Sequence, residues 1–209
     1  MLASVLFILL LSYLAGSIPA SVWVSKLFYK KDVRSEGSKN AGLTNTYRLF
    51  GVKATIPVAI IDFGKGALAA WLGYSANQDY MPAINFGLCA GLMSIFGHSF
   101  TCFAGFKGGK GVLAGLGVYM ILTPISAILA FVVWLVVVIP SGYVSLASIS
   151  AAAAISLFML FEYFFNEATM AMLLLTIILS IFIIVRHRSN ISRLLAGTEN
   201  RFGKKKPKG

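Results

Sequence analysis

Three polar segments of this chain carry residue types that bind phosphate, and long apolar runs separate them. The first segment runs from Glu36 to Arg48 and is rich in glycine, amide and hydroxyl residues. Small residues expose backbone N–H groups, and Arg48 offers a planar guanidinium that matches the geometry of a phosphate. An ordinary turn-rich loop would also contain Gly, Ser and Asn. A second interpretation is a phosphate-binding loop. It is indicated by the lysine and arginine that frame these residues next to an apolar run.

The second segment places glycines and lysines at the predicted start of a helix. Gly105 to Val112 reads Gly-Phe-Lys-Gly-Gly-Lys-Gly-Val, and glycines ahead of a helix N-terminus form an anion cradle to which lysine adds a point charge. The segment is not a P-loop, because Ala104 and Gly111 stand where that motif requires glycine and Ser or Thr. A phosphate site therefore remains, and a nucleotide site is disfavoured. His98, just upstream, is more typical of a packing or hydrogen-bonding residue than of a catalyst.

The third segment follows the last apolar run and extends from Arg186 to Glu199. If the last helix continues through it, Arg186, Asn190 and Arg193 share one face, with His187 beside Asn190. Gly197 then predicts the C-terminal end of the helix. A positively charged anchor next to the membrane is the alternative interpretation. The His and Asn inside the basic cluster favour a site.

Polar residues within the apolar runs add to this pattern. Asp62 and Lys65 lie three residues apart inside the second run, where charges are costly and normally paired, so we interpret them as a structural ion pair rather than a proton relay. The hydroxyls of Tyr143–Ser148 begin the sixth run and are placed to reach a ligand. Cys89 and Cys102 fall in one predicted span, where small apolar fillers are more typical than a disulfide or a metal site.

The elements that must position these residues are membrane helices. Of the 209 residues 58% are hydrophobic and only 12% are charged, and the mean hydropathy is +0.83, which excludes an ordinary soluble domain. The first run is longer than a signal peptide, so we expect it to be retained. Thr123-Pro124 divides what would otherwise be one span. We predict a single membrane domain over residues 1–203, a basic tail at 204–209, and seven spans, the fourth short or partial: 2–28, 52–74, 82–103, 109–123, 125–140, 144–162 and 168–186.

Charge placement predicts the orientation. The net charge of +11 resides in the first connection, in the glycine–lysine loop and in the C-terminal tail, whereas the connections near Asp79 and Glu167 contain no Lys or Arg. This alternation follows the positive-inside rule and does not suit a nucleic-acid-binding protein. We expect an all-α membrane protein with its N-terminus outside, its C-terminus in the cytoplasm and its polar segments on the cytoplasmic face.

Together these segments resemble the membrane glycerol-3-phosphate acyltransferases that use acyl-phosphate as donor. The resemblance covers nearly the whole chain, and its six motifs occur in the family's order: Gly16–Pro19, Gly37–Arg48, Asp62–Gly66, Gly97–Val112, Tyr143–Ser148 and Arg186–Leu194. Three departures stand out. Lys39 replaces the usual glycine, Leu43 replaces the usual alanine, and Ser141-Gly142 stand where a basic residue often precedes the tyrosine. Lys39 bears on the loop's flexibility and phosphate contacts.

The resemblance implies a fatty acyl transfer to the 1-hydroxyl of glycerol 3-phosphate, giving lysophosphatidic acid and phosphate as the first step of phospholipid synthesis. It implies no cofactor or metal, a bacterial cytoplasmic (inner) membrane location, an acyl groove open to membrane lipids, and transient contact with a soluble enzyme that produces acyl-phosphate. Gly108 and Gly109 would donate backbone N–H groups. The implied catalytic residues, which hold the two phosphate-bearing substrates, are Ser38, Arg48, Lys110, Ser148, His187 and Asn190. The implied further substrate contacts are Asn40, Thr44, Asn45, Lys107, Gly108, Gly109, Ser145, Arg186 and Arg193.

Acyl-phosphate chemistry agrees with this residue inventory. An acyl-phosphate is an activated anhydride with a good leaving group, so positioning and charge stabilisation supply much of the catalysis. The His-x-x-x-x-Asp pair of the other acyltransferase class is absent, because Phe103 follows His98 and Ser192 follows His187 at that spacing. We hypothesise that a substrate phosphate accepts the hydroxyl proton. A transporter or channel for phosphorylated solutes is the rival, but it needs polar residues on both faces, and a structural scaffold leaves the glycine–lysine loop unexplained.

Overall fold

The structure, a computed structural model, describes residues 2–76, 83–165 and 167–202. The regular elements among these residues are helices, and the described residues include no β-strand, which confirms the all-α prediction. The predicted tail at 204–209 and most of the connection around Asp79 lie outside the described residues. The helices are α1 (Leu2–Gly16), α2 (Ala20–Tyr29), α3 (Leu43–Phe50), α4 (Val52–Ala76), α5 (Ala83–Ser99), α6 (Val112–Leu122), α7 (Pro124–Ser141), α8 (Val144–Phe164), α9 (Met170–Arg186) and α10 (Arg188–Leu195).

Five segments of the described chain are long and apolar enough to cross a membrane, and a sixth results if α9 and α10 form one bent span. The first of these, Leu2–Tyr29, combines α1 and α2. Helix α6, the predicted fourth span, has 11 residues and is about 16 Å long, well below the hydrocarbon thickness of about 30 Å. The seven-span count and the orientation therefore stay predictions.

Two breaks in the helices follow from local sequence. The first predicted span, 2–28, is divided after Gly16, and Pro19 caps the new helix α2, because proline cannot supply a backbone N–H within a helix. The hydroxyl of Thr101 donates to the carbonyl of Ser17 at this break. The predicted turn at Thr123-Pro124 is confirmed, since α6 ends at Leu122 and α7 begins at Pro124.

The chain groups into two compact units, Met1–Pro124 and Ile125–Gly209. In the first unit α4 packs against α5 and α6, and α1 packs against α5. Small residues allow these helix backbones to approach closely: a methyl group on Gly66 would collide with the carbonyl of Ala114, and one on Gly97 with that of Tyr13. Such small-residue contacts are typical of helices that pack within membranes. These contacts hold α5 and α6, the two helices between which the glycine-containing polar loop lies.

The second unit is built on α8 and α9, with α10 packing against both. Helices α9 and α10 meet at an angle of 57°, and His187 lies at the junction. The predicted continuation of the last helix is therefore wrong: Arg186 ends α9, whereas Asn190 and Arg193 belong to α10. The predicted stop at Gly197 is confirmed, because α10 ends at Leu195 and Gly197 has a φ of +68°, a conformation that suits glycine.

Candidate active site

The first polar loop, between α2 and α3, is held by the buried side chain of Asn45. Its Oδ1 accepts the backbone N–H of Ser38 at 2.9 Å, and its Nδ2 donates to the carbonyls of Val33 at 2.7 Å and Glu36 at 3.1 Å. Asn45 is only 2% exposed. The amide therefore folds the loop around Ser38 and has a scaffolding role, and the contact of Asn45 with substrate stays a prediction.

Arg34 joins this loop to the loop between α5 and α6, residues 100–111, which we call the glycine loop. Its Nη1 donates to the carbonyl of Ala104 at 2.7 Å, while Nε and Nη2 bind the two carboxylate oxygens of Asp32 at 3.0 and 2.8 Å. The Nζ of Lys26 lies 3.3 Å from the same carboxylate. The hydrogen bond from Arg34 is the main reason that the pKa of Asp32 lies well below its usual range. Asp32 thus remains ionised and fixes the guanidinium in place.

The glycine loop rests directly on the end of α5. The N–H of Gly109 donates to the carbonyl of His98 at 3.0 Å, and that of Gly108 donates to the carbonyl of Ser99 at 3.2 Å. Both amides therefore have backbone acceptors in this structure, and their donation to phosphate stays a prediction. A side chain on Gly108 would collide with the His98 carbonyl, and one on Gly109 with the imidazole of His98. Glycine is therefore required here for close approach.

A buried charge cluster lies beneath the glycine loop. The predicted ion pair is confirmed, with the Nζ of Lys65 2.7 Å from the carboxylate of Asp62, and Lys65 also donates to the Ile18 carbonyl at 3.0 Å. The Nδ1 of His98 is 3.3 Å from the same carboxylate oxygen. Asp62, Lys65 and His98 are 2%, 5% and 9% exposed. His98 is therefore a buried hydrogen-bonding residue that connects α4 with the glycine loop.

The two loops of the first unit line an open cavity, which we call the loop cavity. Its volume is about 560 Å³, and its lining includes Arg34, Ser35, Lys39, Lys107 and Gly108. This volume lies within the range of about 300–1,000 Å³ that is typical of small-molecule sites. The predicted residues Lys107 and Gly108 therefore share one concave surface with the first loop, as an anion site requires.

The remaining predicted residues of the first unit flank these loops. Thr44 and Arg48 lie on α3 four residues apart, a spacing that puts them on one helix face. Asn40 is half-buried in the loop ahead of α3, and Lys110 is half-buried immediately before Gly111. Gly111 caps the N-terminus of α6 with a φ of +85°. Lys110 therefore stands at the start of a helix, where backbone N–H groups lack helical acceptors.

In the second unit the carboxylate of Glu199 accepts hydrogen bonds from three predicted site residues. Its Oε1 accepts hydrogen bonds from Ser145 at 2.9 Å and Asn190 at 2.8 Å, and its Oε2 accepts one from the Nε of Arg193 at 2.7 Å. Burial acts to raise the pKa of Glu199, but these hydrogen bonds outweigh it, so the pKa is lowered overall. An ionised carboxylate thereby joins α8 to α10 and orients an amide, a hydroxyl and a guanidinium.

His187 and Ser148 are also buried in this unit. The Nδ1 of His187, at the α9–α10 junction, lies 2.8 Å from the carbonyl oxygen of Ile183, an arrangement that fixes the imidazole ring. The hydroxyl of Ser148 donates to the Val144 carbonyl at 2.8 Å and accepts from the indole N–H of Trp134 at 3.3 Å. Both side chains are therefore held in defined positions by their own unit.

Sequence reasoning assigned no role to two residues that organise these sites. Arg34 appeared only as one of many basic residues of the first connection, and no local pattern signals its reach to Ala104. Glu199 did carry a signal, because it is the sole acidic residue in the basic segment from Arg186 to Glu199. A carboxylate among three arginines and a histidine indicates a pairing partner.

Comparisons with known proteins agree over nearly the full length. A family model described as glycerol-3-phosphate acyltransferase matches residues 6–197. A glycerol-3-phosphate acyltransferase of Fusobacterium nucleatum is 41% identical over 194 residues, covering 93% of this chain and 96% of the relative. A Bacillus anthracis protein, glycerol-3-phosphate acyltransferase 2, is 43% identical over 193 residues, covering 92% of this chain and 96% of the relative.

Solved structures agree as well. The crystal structure of PlsY (YgiH), an integral membrane glycerol 3-phosphate acyltransferase, matches with a TM-score of 0.87 in its glycerol 3-phosphate form and 0.84 in its lysophosphatidic acid form. Each is 39% identical, and 96% of both chains is covered. Because sequence and fold agree along almost its entire length, this chain belongs to the membrane glycerol-3-phosphate acyltransferase family.

Proposed function

We propose that this enzyme transfers a fatty acyl group from acyl-phosphate to the 1-hydroxyl of glycerol 3-phosphate. The observation that carries the proposal is the hydrogen bond from Arg34 to the carbonyl of Ala104. This bond joins the first polar loop to the glycine loop beside a cavity that two lysines line. Related PlsY structures in glycerol 3-phosphate and lysophosphatidic acid forms support the acceptor and the product. The activated donor suits a site that offers charge and fixed hydrogen bonds.

In the proposed reaction the substrate hydroxyl oxygen attacks the acyl carbonyl carbon. The bond between this carbon and the phosphate oxygen then breaks, and a phosphate oxygen accepts the hydroxyl proton. The products are lysophosphatidic acid and inorganic phosphate. In the first unit Ser38, Arg48 and Lys110 bind phosphate oxygens and stabilise the charge on the leaving group. Asn40, Thr44 and Lys107 contribute further polar contacts.

In the second unit Ser148, His187 and Asn190 contribute polar groups to substrate binding. Glu199 positions Asn190, Ser145 and Arg193, and Arg186 adds positive charge at the end of α9. Glu199 accepts hydrogen bonds from its own unit, so we assign it a positioning role and leave proton transfer to the substrate phosphate. The neutral variant Glu199→Gln should then retain some turnover. If Glu199 were the catalytic base, the same variant would lose nearly all of it.

The decisive assay uses purified protein in detergent with acyl-phosphate and glycerol 3-phosphate. Arg48→Ala and Lys110→Ala should each lower kcat/KM about 10- to 100-fold, because a hydrogen bond to a charged group contributes about 1.5–3 kcal/mol. Lys53→Ala, which removes an exposed lysine near the start of α4, is the matched control and should leave activity unchanged.

The same assay separates the alternatives. Product formed only from another acyl donor would contradict the acyl-phosphate assignment. A wild-type enzyme that forms no product from any acyl donor, yet moves phosphorylated solutes into vesicles, would favour the transporter. Enzymatic turnover in detergent requires no vesicle, so the two functions give different results.

We further propose seven spans with the polar loops on the cytoplasmic face of a bacterial inner membrane. A cysteine introduced at Ser35, after Cys89 and Cys102 are replaced, tests this orientation. It should react with a membrane-impermeant maleimide only when cells are opened. Reaction in intact cells would reverse the orientation.

A further inference from the structure

The loop cavity carries an excess of positive charge. Asp32 is its acidic lining residue, and Asp32 is already bound by Arg34 and Lys26. Lys39 and Lys107 also line the cavity, both are exposed, and neither makes a salt bridge within the described part of the chain. The two lysine charges are thus left for a ligand, which must be an anion.

The groups beside Lys39 and Lys107 indicate which class of anion the loop cavity binds. The Ser35 hydroxyl in the same cavity already donates to the carbonyl of Asp32 at 2.7 Å, and Lys39 directly follows Ser38, whose backbone N–H is bound by Asn45. The two lysines are therefore the groups that supply donors to a ligand. Two ammonium groups in one cavity provide several charged donors and suit a compact, doubly charged group with several acceptor oxygens. A phosphate monoester fits this description better than a carboxylate, which has fewer oxygens and a single charge.

The backbone of Lys39 is held in a conformation that favours glycine. Its φ is +55°, which is sterically costly for a residue with a Cβ atom. Its N–H donates to the carbonyl of Glu36 at 3.1 Å, a turn that glycine would form with less strain. The backbone at this position therefore does not favour lysine, so any contribution of Lys39 to binding comes through its side chain.

We propose that Lys39 is an affinity-determining residue that, with Lys107, captures the phosphate headgroup of a substrate in the loop cavity. This inference rests on the proposed function and adds a cation that the family pattern lacks. The headgroup belongs either to soluble glycerol 3-phosphate or to the membrane-borne acyl-phosphate, and both present the same chemistry. A cation at this position accelerates the association of the phosphate substrate and lowers its dissociation constant. It leaves the rate of the acyl transfer step unchanged.

The test compares Lys39→Gly with Lys30→Gly. Lys30 is also an exposed lysine and has nearly the same φ, +54°, but it does not line the cavity. Both substitutions relieve the same backbone strain, so neither should lower the unfolding temperature in detergent. Lys39→Gly should raise the KM for one phosphate substrate about 3- to 10-fold with kcat unchanged. Lys30→Gly should leave both constants as they are.

Two sets of measurements identify which headgroup is captured. The concentration of glycerol 3-phosphate is varied at saturating acyl-phosphate, and then the reverse. A rise in either KM supports the proposal and names the substrate. Raising the salt concentration from about 20 to 200 mM should also increase that KM more in the wild type than in Lys39→Gly, because salt screens exposed charges. Lys39→Asn, which tolerates a positive φ without the charge, should behave as Lys39→Gly does.

Unchanged KM values and salt dependence in Lys39→Gly and Lys39→Asn would overturn the proposal, as would an equal effect of Lys30→Gly. Binding of glycerol 3-phosphate and of inorganic phosphate, followed by calorimetry, provides a measurement that needs no turnover. Weaker binding to Lys39→Gly would support the capture site even if the wild type did not use acyl-phosphate. Equal binding together with unchanged KM values would reject it while leaving the acyltransferase function intact.

Discussion

The Nδ1 of His98 lies 3.3 Å from the carboxylate oxygen of Asp62 that also pairs with Lys65. The backbone carbonyl of the same histidine accepts the N–H of Gly109 at 3.0 Å. One residue therefore contacts the buried charge cluster through its side chain and the glycine loop through its backbone. Changes to the interior of the first unit should consequently alter the loop that carries Lys107 and Lys110.

Removing the acidic member of the buried cluster should strongly destabilise the protein. Asp62→Ala leaves Lys65 buried without its carboxylate partner, and breaking a buried pair in this way costs about 3–5 kcal/mol. Denaturant unfolding in detergent, followed by tryptophan fluorescence, measures the loss. The double variant Asp62→Leu/Lys65→Met removes both charges and should recover most of the stability. A double variant no more stable than Asp62→Ala would show that pairing is not the cause.

Substituting Gly109 should impair catalysis more than folding. A methyl group there would collide with the imidazole of His98 and lie 2.8 Å from the carbonyl oxygen of Ala41. Gly109→Ala therefore forces the two loops apart, and a displacement of about 1 Å at a reacting site can lower the rate about 100-fold. The matched control is Gly64→Ala, because a methyl group on Gly64 meets nothing within 4 Å. Equal activities of the two variants would contradict the predicted packing.

The second unit should lose stability in acid through Glu199. Its pKa is lowered in the folded protein, so the unfolded state binds the proton more readily. The stabilisation is fully present above the ordinary glutamate pKa of about 4.3, and it is lost as the pH falls through the lower folded value. Glu199→Gln should unfold at a lower temperature at pH 7. Between pH 7 and acid the difference from the wild type should shrink.

The acid dependence of Glu199→Gln needs a second carboxylate as reference. Glu36 is an exposed partner of Lys31, and exposed pairs contribute less than about 1 kcal/mol. Glu36→Gln should therefore follow the wild-type pH profile closely. A profile for Glu199→Gln that parallels the wild type at every pH would mean that Glu199 does not stabilise the unit through its charge.

The geometry of Arg34, rather than its charge alone, should matter for the loop cavity. Arg34→Lys keeps one positive charge, but an ammonium group cannot reproduce the fork that binds Asp32 and the Ala104 carbonyl together. We expect a loss of about 1 kcal/mol in stability and a rise in KM for a phosphate substrate. Lys31→Ala, which breaks only an exposed salt bridge, should affect neither. A lysine variant with wild-type KM would show that the junction does not shape the cavity.

Several features of the fold follow from the local sequence. The apolar runs predicted helices because membrane helices require about 20 consecutive apolar residues, and Pro124 and Gly197 predicted helix boundaries through their backbone restrictions. The Asp62–Lys65 pair followed from spacing, since residues three apart on a helix are neighbours. Pro19 also indicated a break in the first helix, but the long apolar run around it led to the prediction of one continuous span.

The sequence by itself determined that this is a helical membrane protein whose phosphate-binding residue types lie in three polar segments. Only the tertiary structure decided which groups meet. Arg34 reaches Ala104 across 70 residues, and Ser145 reaches Glu199 across 54. The amides of Gly108 and Gly109 donate to carbonyls at the end of α5. Hydrophobic periodicity carries no information about such pairs. They form where the packing of helices brings distant polar groups together, and these groups must bond to each other because water is excluded.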